Sequence, residues 1–72
     1  MLRFNYAALL GRIKEMGFTQ RGLASAAGIS ESMLSAKLNG HYPFTQTDIQ
    51  SIATALDISP MDFGRYFFCV AS

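Results

Sequence analysis

The sequence holds one cysteine, Cys69, and one histidine, His41. A lone thiol makes no internal disulfide and fits a reducing compartment; its only disulfide chemistry is cross-linking of two chains. With one residue of each kind, no metal-ligand spacing and no glycine-rich phosphate loop, neither a metal nor a cofactor nor an enzymatic activity is expected. No apolar run approaches the roughly 18 residues of a membrane helix. The start lacks the long apolar stretch and small-residue cleavage site of a secretory leader. The cytoplasm, without membrane contact, is the expected location. Linkers and low-complexity blocks are missing too, so a single domain over 1–72 is expected. A chain of 72 residues buries only about 60% of the surface it exposes when unfolded.

Charge is also scarce: six Lys and Arg stand against five Asp and Glu, a net charge of +1. Composition alone therefore does not mark a nucleic-acid binder. The distribution is uneven. Up to His41, Arg3, Arg12, Lys14, Arg21 and Lys37 outnumber Glu15 and Glu31 by three; beyond it, Asp48, Asp57 and Asp62 outnumber Arg65 by two. The first part suits a place near phosphate and the second avoids one. Ordinary solvated surface accounts for the same distribution equally well.

What the chain does contain is a repeated local pattern: an apolar residue, then Asn, Ser or Thr, then three residues, then another apolar residue. It occurs as FNYAAL, FTQRGL, ISESML, FTQTDI and ISPMDF. The polar residue is placed to cap the free N–H groups of a first helical turn, while the apolar pair closes over it as a staple. Asn5, Thr19, Ser30, Thr45 and Ser59 are the expected caps, and Phe4/Leu9, Phe18/Leu23, Ile29/Leu34, Phe44/Ile49 and Ile58/Phe63 the staples. Asp48 and Asp62 fall at the third helical position, where a carboxylate meets the positive end of the helix dipole, and Pro60 at the first. Gly17, Gly28 and Gly40 stand where a left-handed residue can end a helix. The pattern predicts an all-α fold of five helices over about 6–16, 20–27, 31–39, 46–56 and 60–67. Tyr6, Leu9, Leu10, Ile13 and Met16 are expected to face inward from the first helix, and Ile49, Ile52, Ala53 and Leu56 from the fourth.

The stretch "TQRGLASAAGISESMLSAKLNG" then reads as a short helix, a turn of about three residues and a second short helix. Ala24 and Gly28 are small where the axes approach, and Leu23, Ile29 and Leu34 anchor both helices to one core. The outer face of the second helix is left free to enter a groove, with Glu31, Ser32, Ser35, Ala36 and the Lys37 head group on or beside it. Met33 sits at its edge, suited equally to core filling and to an irregular protein surface.

In the relative spacing of Gln20, Ala24, Gly28, Ile29, Leu34 and Asn39–Gly40, the sequence resembles the helix-turn-helix domains of temperate-phage repressors and Cro-like regulators over residues 5 to about 64. With the closing segment "HYPFTQTDIQSIATALDISPMDFGRYFF" it is most similar to the modulator-of-repression type of antirepressor. The resemblance implies a compact five-helix repressor-like domain with its helix-turn-helix at 20–39. It also implies phosphate contacts from Gln20 and Asn39 and base contacts from the first exposed residues of the second helix. Carried over, Glu31, Ser32 and Ser35 become base-edge candidates, and Gln20, Lys37, Asn39, His41 and Tyr42 backbone candidates, with Arg12, Lys14 and Arg21 adding charge from the flanks. Two residues depart from the pattern. Glu31 stands where glutamine is frequent, and a carboxylate only accepts hydrogen bonds and is repelled by phosphate. Lys37 stands where an apolar residue usually closes the motif.

The tail "GRYFFCVAS", residues 65–72 with the bend before it, puts Tyr66, Phe67, Phe68, Cys69 and Val70 together, more apolar surface than a terminal segment leaves in water. It packs back on the bundle or, as a short extended segment, pairs with a second chain. Two functions share the exposed face. One is an antirepressor of a phage lysogeny switch, whose helices cover the DNA-reading domain of a partner repressor, with DNA contact as an additional mode; the weak charge, Glu31, the small serines, Met33 and Ala36 suit it. The other is a Cro-like homodimer that reads operator DNA directly, its two 31–39 helices entering major grooves about 34 Å apart.

Overall fold

Residues 4–69 are described by a computed structural model of the chain. It contains α1 (Ala7–Glu15), α2 (Gln20–Ala27), α3 (Glu31–Leu38), α4 (Gln46–Leu56) and α5 (Phe63–Phe67), the last entered through a 3-10 turn, Pro60–Asp62. No strand occurs among the described residues; a single bridge residue, Phe4, is the only extended pairing there.

The starts follow the expected grammar with two corrections. Thr19 Oγ1 accepts from the Gly22 N–H at 3.0 Å, Ser30 Oγ from Met33 at 3.1 Å and Thr45 Oγ1 from Asp48 at 3.1 Å. At α4 the Asp48 carboxylate returns the favour to the Thr45 N–H at 2.9 Å, completing a reciprocal cap. Asn5 does not cap α1 directly. Its Oδ1 accepts from the Ala7 N–H at 2.8 Å, and Tyr6, whose ring is in the core, occupies the cap position without a side-chain bond. The segment expected as one helix over 60–67 is likewise divided. Ser59 Oγ accepts from the Met61 N–H at 3.3 Å, and the Asp62 N–H donates to the Ser59 carbonyl at 2.8 Å, a tighter turn than an α-helix makes.

Four helices end alike. After α1, α2, α3 and α4, the residues Gly17, Gly28, Gly40 and Asp57 adopt positive φ. In each case the next residue's N–H reaches back into the last turn: Phe18 to Ile13, Ile29 to Ala24, His41 to Ala36 and Ile58 to Ala53, at 2.8–3.0 Å. Orphan carbonyls are satisfied in this way and the chain is turned sharply. Asp57, at φ 54, is the non-glycine exception.

One core joins every helix: Leu9 and Ile13 of α1, Leu23 and Ala24 of α2, Leu34 and Leu38 of α3, Ile49, Ile52, Ala53 and Leu56 of α4, and Phe67 of α5. The stripe expected on α4 is buried throughout. On α1 it is narrower than expected, because Leu10 and Met16 are 44% and 40% exposed. Leu10 lies about 100° around the helix from Leu9, and Met16 follows the last helical residue, so neither shares the inward face of Leu9 and Ile13.

The tail packs back. Phe67 is buried, Tyr66 is half-buried against the core, and the Asn5 N–H donates to the Cys69 carbonyl at 2.6 Å. Phe68 and Cys69 remain exposed, while Val70 and Arg3 lie outside the described residues. Asp57 carries both the Cβ penalty of the left-handed region and a negative charge at the negative end of α4. Asp57→Gly removes both and is expected to raise stability by about 1 kcal/mol, read as an upward shift of the urea unfolding midpoint.

Candidate interaction face of helix α3

The turn Gly28–Ser30 swings α3 away from α2 because Gly28 takes a left-handed conformation at φ 74 and Ser30 caps the next helix at once. Leu34 and Leu38, one turn apart, hold α3 on the core. That phase leaves Glu31, Ser32 and Met33 exposed, Ser35 and Ala36 half-buried, and Asn39, His41 and Tyr42 exposed beyond the helix end. Gln20 and Arg21 are exposed at the start of α2. The structure therefore brings ten of the eleven expected residues to the accessible side of α2, α3 and the following loop.

Lys37 is the correction. Its head group was expected at the outer face, yet the residue is 8% exposed and its Nζ pairs with the Asp48 carboxylate, itself 7% exposed. The reason lies in the helix phase. Lys37 is three residues from Leu34 and occupies the apolar position flagged by the sequence pattern, so the side chain goes inward and requires a buried anion. Asp48, already placed at the N-terminus of α4 by its cap, supplies one. Burial pushes the Asp48 carboxyl up, but the hydrogen bonds from Lys37 and from the backbone and hydroxyl of Thr45, with the Lys37 charge, outweigh it and hold it below the ordinary carboxylate value.

Arg12 is the second charge turned to structural use. Its Nε donates to the Leu56 carbonyl at 3.0 Å, its guanidinium also reaches the Asp57 carbonyl at 3.3 Å, and it pairs with Glu15 at 3.0 Å. α4 has no basic residue in its own last turn. Arg12 supplies that charge from α1, where it satisfies terminal carbonyls and complements the helix dipole. It is not a free flanking charge.

On the outer face itself, Arg21 Nε lies 3.2 Å from Glu31 Oε2 and joins the starts of α2 and α3. The Arg21 side chain is 88% exposed, so the pair neutralises local charge while adding little stability. The Asn39 amide turns back onto the helix and donates to the Ser35 carbonyl at 2.9 Å. The face is thus a small-residue surface of Ser32, Ser35 and Ala36, bordered by one internally paired acid and base. Among the described residues, no group of three His, Cys, Asp or Glu side chains is placed to hold a metal ion.

A second feature escaped the sequence reading. Phe44, Ile49, Phe63 and Phe68, with the amides of Gln46 and Gln50, line an open groove of about 390 Å³ between α4 and the tail. Its signal was present in Phe44 and Phe63, which both appear in the staple pattern, but their convergence depends on how α5 packs.

Fold and face together define a small all-α domain. The chain belongs to the family described as protein of unknown function DUF739, whose model matches residues 2–69. It is similar to the modulator of repression of the temperate bacteriophage TP901-1 from Lactococcus lactis, known from a solution structure. The two are 37% identical, the match covers 90% of this chain and 88% of the other, and the TM-score is 0.77. No curated protein matches the chain.

The depressed Asp48 carboxyl sets a pH dependence. A carboxylate held below its unfolded value contributes stability that is present above that value and lost as pH falls through the folded one, here below about pH 4. Urea midpoints are expected to fall in that acid range, and Asp48→Asn, starting from a lower midpoint at neutral pH, is expected to lose less there than the parent chain.

Proposed function

We propose that this protein is an antirepressor of a phage lysogeny switch, acting in the bacterial cytoplasm. Its helix-turn-helix unit, α2 and α3, covers the DNA-reading domain of a partner repressor. The likeness to a phage modulator of repression supports a regulator that acts on repression. The observation that carries the protein-binding mode is the disposition of charge. Lys37 is buried against Asp48, Arg12 is bound to the end of α4 and Arg21 is paired with Glu31. What α3 offers is therefore small, nearly uncharged and tipped by a carboxylate. A phosphate-rich groove asks for cations on that face, whereas the basic surface of a DNA-reading domain accepts Glu31 and packs against Ser32, Ser35, Ala36 and Met33. Gln20, Asn39, His41 and Tyr42 form the rim of the same surface. Phe68, half exposed beside Phe4, leaves tail-mediated pairing of two copies as an additional mode.

Direct operator binding through α3 is the competing mode, and one substitution separates the two by sign. Glu31→Lys is expected to weaken capture of the repressor's DNA-reading domain by about tenfold, a charge contact at an interface rim or core, measured by titration calorimetry. If the α3 face reads DNA instead, the same substitution removes a repulsive carboxylate, adds a cation and strengthens duplex binding. Stronger operator binding together with unchanged repressor capture would overturn the antirepressor assignment.

A further inference from the structure

α3 has its main contact with α2 across the connecting turn, and its deep anchors, Leu34 and Leu38, form one narrow stripe. Apolar burial is non-directional. An eight-residue helix held along one stripe therefore keeps a freedom that its anchors do not remove: it can roll about its axis and exchange the residues covered at either edge. At about 100° per residue, Lys37 flanks the stripe on one side and Glu31 on the other. Only Lys37 has a directional bond inward. Its target, Asp48, is fixed independently by the Thr45 N–H at 2.9 Å and by its place in the first turn of α4.

We infer that the Lys37–Asp48 pair is a positioning device: it sets the roll of α3, and hence the outward presentation of Ser32, Ser35 and Asn39, and serves partner recognition rather than net stability. The inference rests on the reading of α3 as the docking face. Both groups are almost completely removed from water, and the desolvation of such a pair offsets most of its attraction, so that well-packed apolar replacements are often as stable. Rolling α3 away, by contrast, strands a buried carboxylate and a buried ammonium without partners. The pair thus disfavours alternative rolls far more strongly than it favours folding. Met33, beyond Lys37, and the half-buried Ser35, beyond Glu31, border the outer face and are the residues whose exposure changes most with roll.

The double substitution Lys37→Met/Asp48→Asn tests this in the full chain. Methionine keeps the length of the lysine stem, and asparagine keeps an acceptor for the Thr45 N–H. Urea midpoint, amide hydrogen exchange and affinity for the repressor's DNA-reading domain are measured together. The expected result is a midpoint at or above that of the parent, exchange of the α3 amides about tenfold faster with α4 amides unchanged, and affinity about tenfold lower. Unchanged α3 exchange overturns the inference, as does unchanged affinity. A midpoint well below the parent's, or failure to fold, also overturns it, because the pair would then be holding the fold itself. If the parent chain captures no repressor, the reading of α3 as docking face fails, while the exchange comparison still decides whether the pair fixes the helix.

Discussion

The Asp48 carboxylate stands where three requirements meet. It completes the cap of α4 by accepting the Thr45 N–H, it sits at the positive end of that helix, and it neutralises Lys37. Each requirement is local to a different part of the chain, and one group satisfies them all because α4 begins beside the inner edge of α3. Remove the carboxylate and Lys37 has no buried anion; the lysine must then move outward and α3 must turn with it. The neutral character of the outer face therefore originates in the core. A lysine outside would add a cation to the outer face of α3, and a lysine inside leaves serines and an alanine to meet a partner.

Arg12 shows the same economy. α4 ends on Asp57, an acid in the left-handed region and an unfavourable charge for a helix C-terminus. The guanidinium from α1 covers the Leu56 and Asp57 carbonyls and ties the first helix to the fourth. Lys37 and Arg12 thus brace the two ends of α4, which takes two of the cations of the first half of the chain off the α3 face. On the α3 face the charges that remain are the paired Arg21 and Glu31, which lowers affinity for phosphate and lowers the desolvation cost of packing against another protein.

These two residues also mark where reading the sequence succeeds and where it stops. Thr19, Ser30, Thr45 and Ser59 cap as expected, and Gly17, Gly28 and Gly40 stop helices as expected, because both effects are decided within a few residues. The α4 stripe is legible for the same reason, being a regular period on an eleven-residue helix. Lys37 is not legible from its own neighbourhood. A charged residue at an apolar position can be turned out or paired inside, and the choice depends on Asp48, which local reasoning explains completely as a dipole and cap residue. Arg12 acts on carbonyls 44 and 45 residues away, beyond any local pattern. Asp57 defeats the glycine rule because left-handed backbone admits Asp as well as Gly. Leu10 and Met16 look like core since nothing in α1 alone says how wide a face its neighbours cover. The outward positions of Ser32, Ser35 and Asn39 follow from helix phase, whereas the partner they meet is not encoded in that phase.

The aromatic residues connect the tail to the loop that follows α3. Phe68 meets Phe4 edge-on at 6.2 Å, Phe4 leans on Tyr6 at 6.3 Å, Tyr6 on Phe44 at 5.1 Å, Phe44 on Phe67 at 5.7 Å, and Phe67 on Phe63 at 6.0 Å. All but the tilted Phe4–Tyr6 pair meet edge to face, and such contacts add to simple burial, a useful supplement in a chain too short for a deep core. Phe44 is central to the series and is also the first residue after the loop that carries His41 and Tyr42. That loop is consequently held at both ends: at one by the left-handed stop of α3, with Gly40 at φ 82 and His41 bonded to Ala36, and at the other by a ring fixed between Tyr6 and Phe67. Its exposed side chains are presented from fixed supports, and the cost of ordering them on contact with a partner falls accordingly. Because Phe44 lines the groove beside α4 together with Phe63 and Phe68, a change in the packing of these rings reaches Phe44, then the loop and the end of α3.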